Sequence, residues 1–123
     1  MRIRKILVVD DEKAISAYLD KKLAQLGHIV FTAGDGEEAL EQAFLHFPDI
    51  ILLDVMMPKL NGIEVLKKLK SDERTKASPV ILLSAKAQSN EITAGLEAGA
   101  DRYLCKPIGF PDILKEIRAF EEK

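Results

Sequence analysis

Five short apolar runs alternate with five segments of helical periodicity along the chain. The runs lie at residues 6–9, 28–33, 50–54, 80–84 and 102–105. Strands that alternate with helices are typical of a parallel sheet, because each crossover between parallel strands requires a helix-length connection. The alternation therefore predicts an α/β fold, with a doubly wound five-stranded parallel sheet and helices on both faces.

The length, net charge and residue content of the chain limit the classes of protein to which it can belong. A chain of 123 residues is long enough for one domain with its own core and too short for two domains, so we expect a single domain over residues 1–123. Its 18 basic and 20 acidic side chains give a net charge of −2, which does not indicate a nucleic-acid or membrane partner. No apolar run approaches the ~20 residues of a membrane-spanning helix, and Cys105 is the only cysteine. These features predict a cytoplasmic protein without an internal disulfide.

Capping residues and glycines mark the ends of the helices. Asp35 and Asn61 are each followed three residues later by a glutamate, which is the spacing of a capping box at a helix start. Gly27 is expected to end the first helix in a left-handed conformation. The helix over residues 89–98 has few apolar residues and contains Gly95, so we expect it to be the least firmly held helix.

The apolar periodicity of each helix predicts which side chains face the sheet. The expected inward positions are Ile15, Tyr18, Leu19, Leu23, Leu26, Ala39, Leu40, Ala43, Phe44, Phe47, Ile63, Leu66, Leu69, Ile92, Leu96, Ile113, Leu114, Ile117 and Phe120. Lys67, Lys68 and Lys70 are expected to form the solvated face of the third helix.

Polar residues stand at the ends of four of the five runs. Asp10 and Asp11 follow the first run, Asp54 ends the third, Ser84 ends the fourth, and Lys106 follows the fifth. Parallel strands bring their carboxyl ends to one edge of the sheet, where such folds bind ligands. Because an unpaired carboxylate in a core is costly, we expect Asp54 to face this open edge.

The side chains expected at this edge point to metal and phosphoryl chemistry. Three carboxylates repel one another, and a cation offsets that repulsion. Carboxylate oxygens are ligands that Mg²⁺ prefers, with water completing its coordination. Lys106 requires an anion instead, and a phosphoryl group suits a site with a magnesium-type ion, a lysine and the Ser84 hydroxyl. Asp54 is then the expected nucleophile, which forms an acyl phosphate.

Four stretches of the sequence together resemble one known family over nearly the whole chain. They are ILVVDDE, DIILLDVMMPKLNG, PVILLSA and GADRYLCKPI, in the order and spacing of the family. The family is the receiver domain of bacterial two-component response regulators, and the chain is similar to its single-domain, chemotaxis-regulator-like members. The resemblance implies a flavodoxin-like fold with strand order 2-1-3-4-5.

The resemblance also implies a role for each residue at the edge. Asp54 would take a phosphoryl group from the phosphohistidine of a sensor histidine kinase or of a histidine phosphotransfer protein. Asp11, Asp54 and the backbone carbonyl of Met56 would bind Mg²⁺, and Asp10 would act through a water molecule. Lys106 would hold the phosphoryl oxygens. A domain with these roles assists only its own phosphorylation and dephosphorylation, so we expect it not to be an enzyme.

The resemblance further implies a switch and two docking surfaces. The Ser84 hydroxyl would move to bind the phosphoryl group, and the Tyr103 ring would then turn inward. The downstream protein would bind the helix over residues 89–98, the strand of Tyr103 and the C-terminal helix. The kinase or phosphotransfer protein would dock on the first helix near Ala14, Ile15 and Tyr18, together with the loop after Lys106.

Several other functions were open to a sequence of this kind. A phosphatase of the haloacid dehalogenase type would need a second acid two residues after its nucleophile, where this chain has Met56. A flavodoxin would need a glycine- and hydroxyl-rich phosphate loop after the first strand, where this chain has acidic residues. Two alternatives remain: an unphosphorylated pseudo-receiver that only binds proteins, and a receiver excised from a longer DNA-binding regulator.

Overall fold

Strands and helices alternate along the chain, as the sequence predicts. The computed structural model describes residues 4–57, 61–84, 89–106 and 109–121. The elements are β1 (Lys5–Val9), α1 (Lys13–Gln25), β2 (Ile29–Ala33), α2 (Gly36–His46), β3 (Ile50–Asp54), α3 (Gly62–Lys70), β4 (Val80–Ser84), α4 (Ser89–Glu97), β5 (Arg102–Cys105) and α5 (Phe110–Glu121). Over these described residues, no helix combines the length and the apolar character needed to cross a membrane.

The strands form one parallel sheet in the order β2-β1-β3-β4-β5. This order confirms the predicted doubly wound, flavodoxin-like topology. The register places Asp54 opposite Leu83 and Ser84 opposite Cys105. The carboxyl ends of β3, β4 and β5 therefore lie at one edge of the sheet, which we call the rim.

Each face of the sheet has its own apolar core. The face of α1 and α5 buries Leu19, Leu23, Ile113 and Ile117, and the face of α2 and α3 buries Ala39, Ala43, Val65, Leu66 and Leu69. Helix α4 covers Leu82 on the second of these faces. Because both faces are covered, every residue of Ile50–Asp54 is buried, as expected for a central strand of a parallel sheet.

Side-chain caps begin α2 and α3, as predicted. The Asp35 carboxylate accepts a hydrogen bond from the backbone N–H of Glu38 (2.8 Å), and the Asn61 side-chain oxygen accepts one from that of Glu64 (3.0 Å). The Glu38 carboxylate accepts from the N–H of Gly34 (2.6 Å), one residue before the cap. Each bond satisfies a backbone donor that the helix itself leaves without a partner.

Some of the predicted inward positions are wrong. Tyr18, Leu26, Phe47 and Leu96 are 50%, 38%, 53% and 48% exposed, and Leu114 lines a surface groove. Phe47 lies beyond the end of α2 with a φ of 50°, so the helical period no longer directs its side chain. Gly95 occupies the sheet-facing position of α4, and Leu96, one residue later, is rotated about 100° away. Leu26 is the C-cap residue beyond the last residue of α1, so the helical period no longer directs its side chain, and Tyr18 lies one residue before the buried Leu19 and is rotated about 100° away from it.

Lys70 does not belong to the solvated face of α3, so that prediction is wrong for this residue. Its ammonium donates hydrogen bonds to the Asp101 carboxylate (3.1 Å) and to the Ser78 carbonyl (2.9 Å). The same Asp101 oxygen accepts from the backbone N–H of Val80 (2.8 Å). Lys70 therefore ties the end of α3 to the starts of β4 and β5.

Candidate functional site

Three carboxylates meet at the rim, as predicted. One oxygen from each of Asp10, Asp11 and Asp54 lies within 4.8 Å of the others. Asp10 and Asp54 are only 2% and 3% exposed, whereas Asp11 is exposed to solvent. A cluster of carboxylate oxygens fits a hard divalent cation. The chain can therefore hold a metal ion at this position.

The backbone beyond β1 and β3 holds the two buried aspartates in place. The N–H of Asp10 donates to the Ala33 carbonyl (3.1 Å), which extends the pairing of β1 with β2 by one residue. The Asp10 Oδ1 accepts from the N–H of Glu12 (2.9 Å), and the Asp54 Oδ1 accepts from the N–H of Met56 (3.2 Å). Each aspartate thus uses one oxygen to bind its own loop, and its other oxygen faces the Lys106 ammonium.

Lys106 supplies the positive charge of the site. Its Nζ lies 3.0 Å from the Asp10 Oδ2 and 3.7 Å from the Asp54 Oδ2. Its backbone N–H donates to the Ser84 carbonyl (2.6 Å), which continues the pairing of β4 with β5 beyond the last strand residue. Lys106 therefore bridges the two buried carboxylates, with its closer contact to Asp10.

Burial and charge together change two pKa values in the site. Burial raises the pKa of Asp54 to about 6; the charges of Asp10 and Asp11 add to this rise, while Lys106 and the Met56 N–H oppose it. Burial lowers the pKa of Lys106, but the hydrogen bond to Asp10 and the charge of Asp54 outweigh it, so the pKa is raised. Repulsion among the three carboxylates therefore contributes to the raised pKa of Asp54, but burial contributes more than repulsion does.

Ser84 and Tyr103 lie on the two strands beside β3. Ser84 is the last residue of β4 and is fully buried (0% exposed). Tyr103 lies on β5 opposite Leu82, is half-buried, and packs against the core beneath α4. The sheet thus places the serine hydroxyl one strand from Asp54 and the tyrosine ring one strand further.

Gly62 also belongs to the site, although the sequence pattern did not single it out. Its N–H donates to the Val55 carbonyl (2.8 Å). A Cβ at this position would overlap the Asp54 carbonyl oxygen and lie 2.7 Å from the Val55 Cα. The start of α3 therefore presses against the backbone of Asp54. The only signal in the sequence is a glycine directly after the helix cap Asn61.

Comparison with known proteins agrees with this geometry. The family model for the response regulator receiver domain matches residues 6–118. The chain is 45% identical to the alkaline phosphatase synthesis transcriptional regulatory protein PhoP of Bacillus subtilis over 116 residues. This alignment covers 94% of the chain and 48% of PhoP. It is 37% identical over 114 residues to the response regulator ArlR of Staphylococcus aureus, covering 93% of the chain and 51% of ArlR. The chain spans about half the length of these curated relatives.

Solved structures with the same fold include a chemotaxis protein and an isolated receiver domain. The chemotaxis protein CheY4 of Vibrio cholerae has a TM-score of 0.90 and 31% sequence identity, covering 96% of this chain and 98% of its own. The BeF3-activated DrrB receiver domain has a TM-score of 0.89 and 34% identity, covering 99% of this chain and 100% of its own. By sequence and by structure, the chain therefore belongs to the response regulator receiver domain family, whose members are signalling domains of two-component systems.

Proposed function

We propose that the chain is the phosphoacceptor of a two-component system or phosphorelay, with Asp54 as the residue that is phosphorylated. The observation that carries the proposal is the placement of the Asp54 carboxylate, within 4.8 Å of two further carboxylates and 3.7 Å from the Lys106 ammonium. The phosphoryl donor is the phosphohistidine of a sensor histidine kinase or of a histidine phosphotransfer protein.

The proposed reaction transfers a phosphoryl group from nitrogen to oxygen. A carboxylate oxygen of Asp54 attacks phosphorus, the phosphorus–nitrogen bond breaks, and the histidine leaves with the electron pair. With a pKa of about 6, Asp54 is mostly ionised at pH 7 and can act as the nucleophile. Asp11, Asp54 and the backbone carbonyl of Met56 would hold Mg²⁺ directly, and Asp10 would act through water. When bound, Mg²⁺ would supply positive charge that offsets the negative charge of the phosphoryl oxygens.

The new charge on Asp54 is proposed to redirect Lys106 and Ser84. A phosphoryl group adds about two negative charges. Lys106, which contacts Asp10 at 3.0 Å, turns to the phosphoryl oxygens, and the buried Ser84 hydroxyl donates a hydrogen bond to one of them. The movement of Ser84 draws the Tyr103 ring inward and so changes the surface of α4 and β5.

The proposed downstream surface comprises α4, β5 and α5. Leu96 of α4 is 48% exposed, and α5 carries a groove of about 460 Å³. The groove is lined by Pro111, Leu114, Lys115, Arg118 and Ala119. Its lysine and arginine favour a protein partner with acidic groups.

The kinase is proposed to dock on a different helix. Tyr18 of α1 is 50% exposed, and the Lys22 ammonium lies 5.8 Å from the centre of its ring. An exposed aromatic ring beside a cation is the kind of side chain that contributes strongly to protein interfaces. The loop after Lys106, which was expected to assist docking, begins outside the described residues.

The experiment that tests the proposal is incubation of the protein with Mg²⁺ and acetyl phosphate, followed by intact mass measurement. We expect one added phosphoryl group in the wild type and none in Asp54→Asn. Asp49→Asn, which changes an exposed aspartate just before β3 and so at the opposite end of that strand from Asp54, is the matched control and should be phosphorylated normally. Chelation of Mg²⁺ should prevent uptake. No uptake from acetyl phosphate or from a phosphorylated kinase contradicts the proposal and supports the pseudo-receiver alternative.

A second candidate role is that of the receiver half of a longer transcriptional regulator. Its support is the similarity to PhoP, which is named a transcriptional regulatory protein and of which the chain covers 48%. In that role phosphorylation changes how the receiver contacts the remainder of the regulator. The mass of the native gene product separates the roles, because only the longer regulator contains a second, DNA-binding half.

The phosphorylated state is proposed to last well beyond seconds. In this family the residues two places beyond the phosphoacceptor and beyond the hydroxyl affect how fast water removes the phosphoryl group. Here they are Met56 and Lys86, of which Lys86 lies outside the described residues. Met56 has no acidic group that could activate water. A half-life of a few seconds in Mg²⁺, measured by intact mass after removal of the donor, contradicts this expectation.

A further inference from the structure

A glycine in α4 allows this helix to pack closely on the sheet. Gly95 is buried above Leu82 of β4 and Tyr103 of β5, two residues that are opposite each other in the sheet register. A Cβ at residue 95 would lie 2.7 Å from the Leu82 Cδ1 and 3.1 Å from the Tyr103 Cδ2. Even an alanine would therefore require one of these neighbours, or the helix, to move.

The backbone of Gly95 does not itself require glycine. The described glycines with positive φ are Gly27 (93°) and Gly99 (109°), and Gly95 is in the interior of α4. Glycine in a helix interior costs about 1 kcal/mol relative to alanine. The close approach of α4 to the sheet is the physical reason for a residue that otherwise weakens the helix.

The two neighbours of Gly95 differ in their freedom to move. Leu82 is fully buried (0% exposed) within the core of its face. Tyr103 is half-buried on β5, which is an edge strand. A close-packed core resists displacement, so a side chain at residue 95 is accommodated by outward movement of α4 and of the tyrosine ring.

We propose that Gly95 is a positioning residue for Tyr103. The space left by its missing side chain forms a slot in which the ring packs, so that the positions of α4 and the ring are coupled. The consequence for signalling rests on the proposed function: phosphorylation of Asp54 moves the ring and α4 together. A side chain at residue 95 prevents the ring from using the slot.

The fluorescence of Tyr103 can report the position of its ring. The chain has no tryptophan and two tyrosines, so replacing one tyrosine leaves the other as the only fluorescent residue of these two types. In a Tyr18→Phe background, quenching of tyrosine fluorescence by acrylamide measures the accessibility of the Tyr103 ring. A Tyr103→Phe variant leaves Tyr18, which is 50% exposed, as the reference for a half-exposed ring. We expect Gly95→Ala to raise the quenching constant of Tyr103 to at least that of Tyr18.

Two further variants separate the slot from a general effect on α4. Ala94→Ser adds one heavy atom at an exposed neighbouring position and should leave the quenching constant unchanged. Leu82→Val removes the Cδ1 atom nearest to the added Cβ, so it should return the Gly95→Ala constant toward that of the background. It should also restore folding if Gly95→Ala alone does not fold. Unchanged quenching in folded Gly95→Ala, or failure of Leu82→Val to restore either property, overturns the proposal.

The coupling to signalling is measured on the same proteins with acetyl phosphate and Mg²⁺, with uptake followed by intact mass. The quenching constant of Tyr103 should change on phosphorylation when residue 95 is glycine and should not change in Gly95→Ala. Uptake without a change in quenching overturns the coupling but leaves the phosphoacceptor function standing. Absence of uptake overturns the phosphoacceptor function. The quenching constants of Tyr103 with glycine and with alanine at residue 95, measured without acetyl phosphate, still decide whether the slot exists.

Discussion

The strands β3 and β5 both end at the rim, but they have opposite surroundings. β3 is paired on both sides and every residue of Ile50–Asp54 is buried. β5 is paired with β4 alone and every residue of Arg102–Cys105 is half-buried. Asp54 is therefore held by two neighbouring strands and two cores, whereas Tyr103 borders solvent. Under the proposed function, this difference separates a phosphoacceptor that requires fixed geometry from a switch residue that requires freedom to move.

The largest expected effect compares equivalent truncations in the two strands. Leu52→Ala removes a fully buried side chain (0% exposed) from β3 and should lower the free energy of unfolding by about 4 kcal/mol. Leu104→Ala removes a half-buried side chain from β5 and should cost about 2 kcal/mol, because less apolar surface is lost from the core. Urea denaturation at pH 7 measures both values. Equal losses in the two variants would contradict the difference that we infer between the buried β3 and the half-buried β5.

The next effect tests how tightly the backbone of Asp54 is enclosed. Gly62→Ala would place a Cβ against the backbone of β3, so we expect a loss of about 3 kcal/mol in the free energy of unfolding and weaker phosphoryl uptake. The matched control is Gly34→Ala, whose Cβ would lie 3.7 Å from the nearest heavy atom, the Glu38 Oε1. That change should stay within about 0.5 kcal/mol of the wild type. Similar losses in both variants would show that the close contact between residue 62 and the Asp54 backbone adds nothing to the cost of the substitution.

A smaller effect follows from the raised pKa of Asp54. Because its pKa rises from 3.8 to about 6 on folding, the folded protein binds this proton more tightly than the unfolded chain does. The contribution of Asp54 to the free energy of unfolding should therefore decrease as pH rises from about 4 to about 6.

Substitution of Asp54 tests this pH dependence. Asp54→Asn removes the buried charge and should be about 2 kcal/mol more stable than the wild type at pH 7, with little difference at pH 4. Urea denaturation at both pH values, without Mg²⁺, measures the change. An Asp54→Asn variant that is less stable than the wild type at pH 7 would show that burial of the Asp54 carboxylate does not destabilise the folded protein.

The smallest predicted effect concerns the attachment of the edge strand. Lys70→Met removes the hydrogen bonds to Asp101 and Ser78 and should cost about 1.5 kcal/mol in the free energy of unfolding. Lys68→Met, on the exposed side of α3, should change it by less than about 0.5 kcal/mol. Hydrogen exchange should accelerate in Arg102–Cys105 more than in β3. Uniform acceleration across the sheet would show that Lys70 does not act on β5 in particular.

The secondary-structure elements and the composition of the rim could be predicted because they follow from short-range patterns and one topological rule, whereas the strand order was implied by the family resemblance. Apolar runs and helical periods are visible within a few residues, and parallel connections then bring the strand ends to one edge. Asp10, Asp54 and Ser84 were assigned to this edge on that basis. The caps at Asp35 and Asn61 were predicted for the same reason, since a capping side chain bonds to a backbone group three residues away.

The amino-acid sequence by itself thus determined the elements, their order and which acidic residues could meet. Only the tertiary structure decided the distances: Lys106 lies closer to Asp10 than to Asp54, Lys70 binds Asp101, and Gly95 has no room for a side chain. These contacts join segments that are far apart along the chain. Their lengths depend on how the two cores pack against the sheet, and close packing is a property of neighbours in space that no local pattern contains.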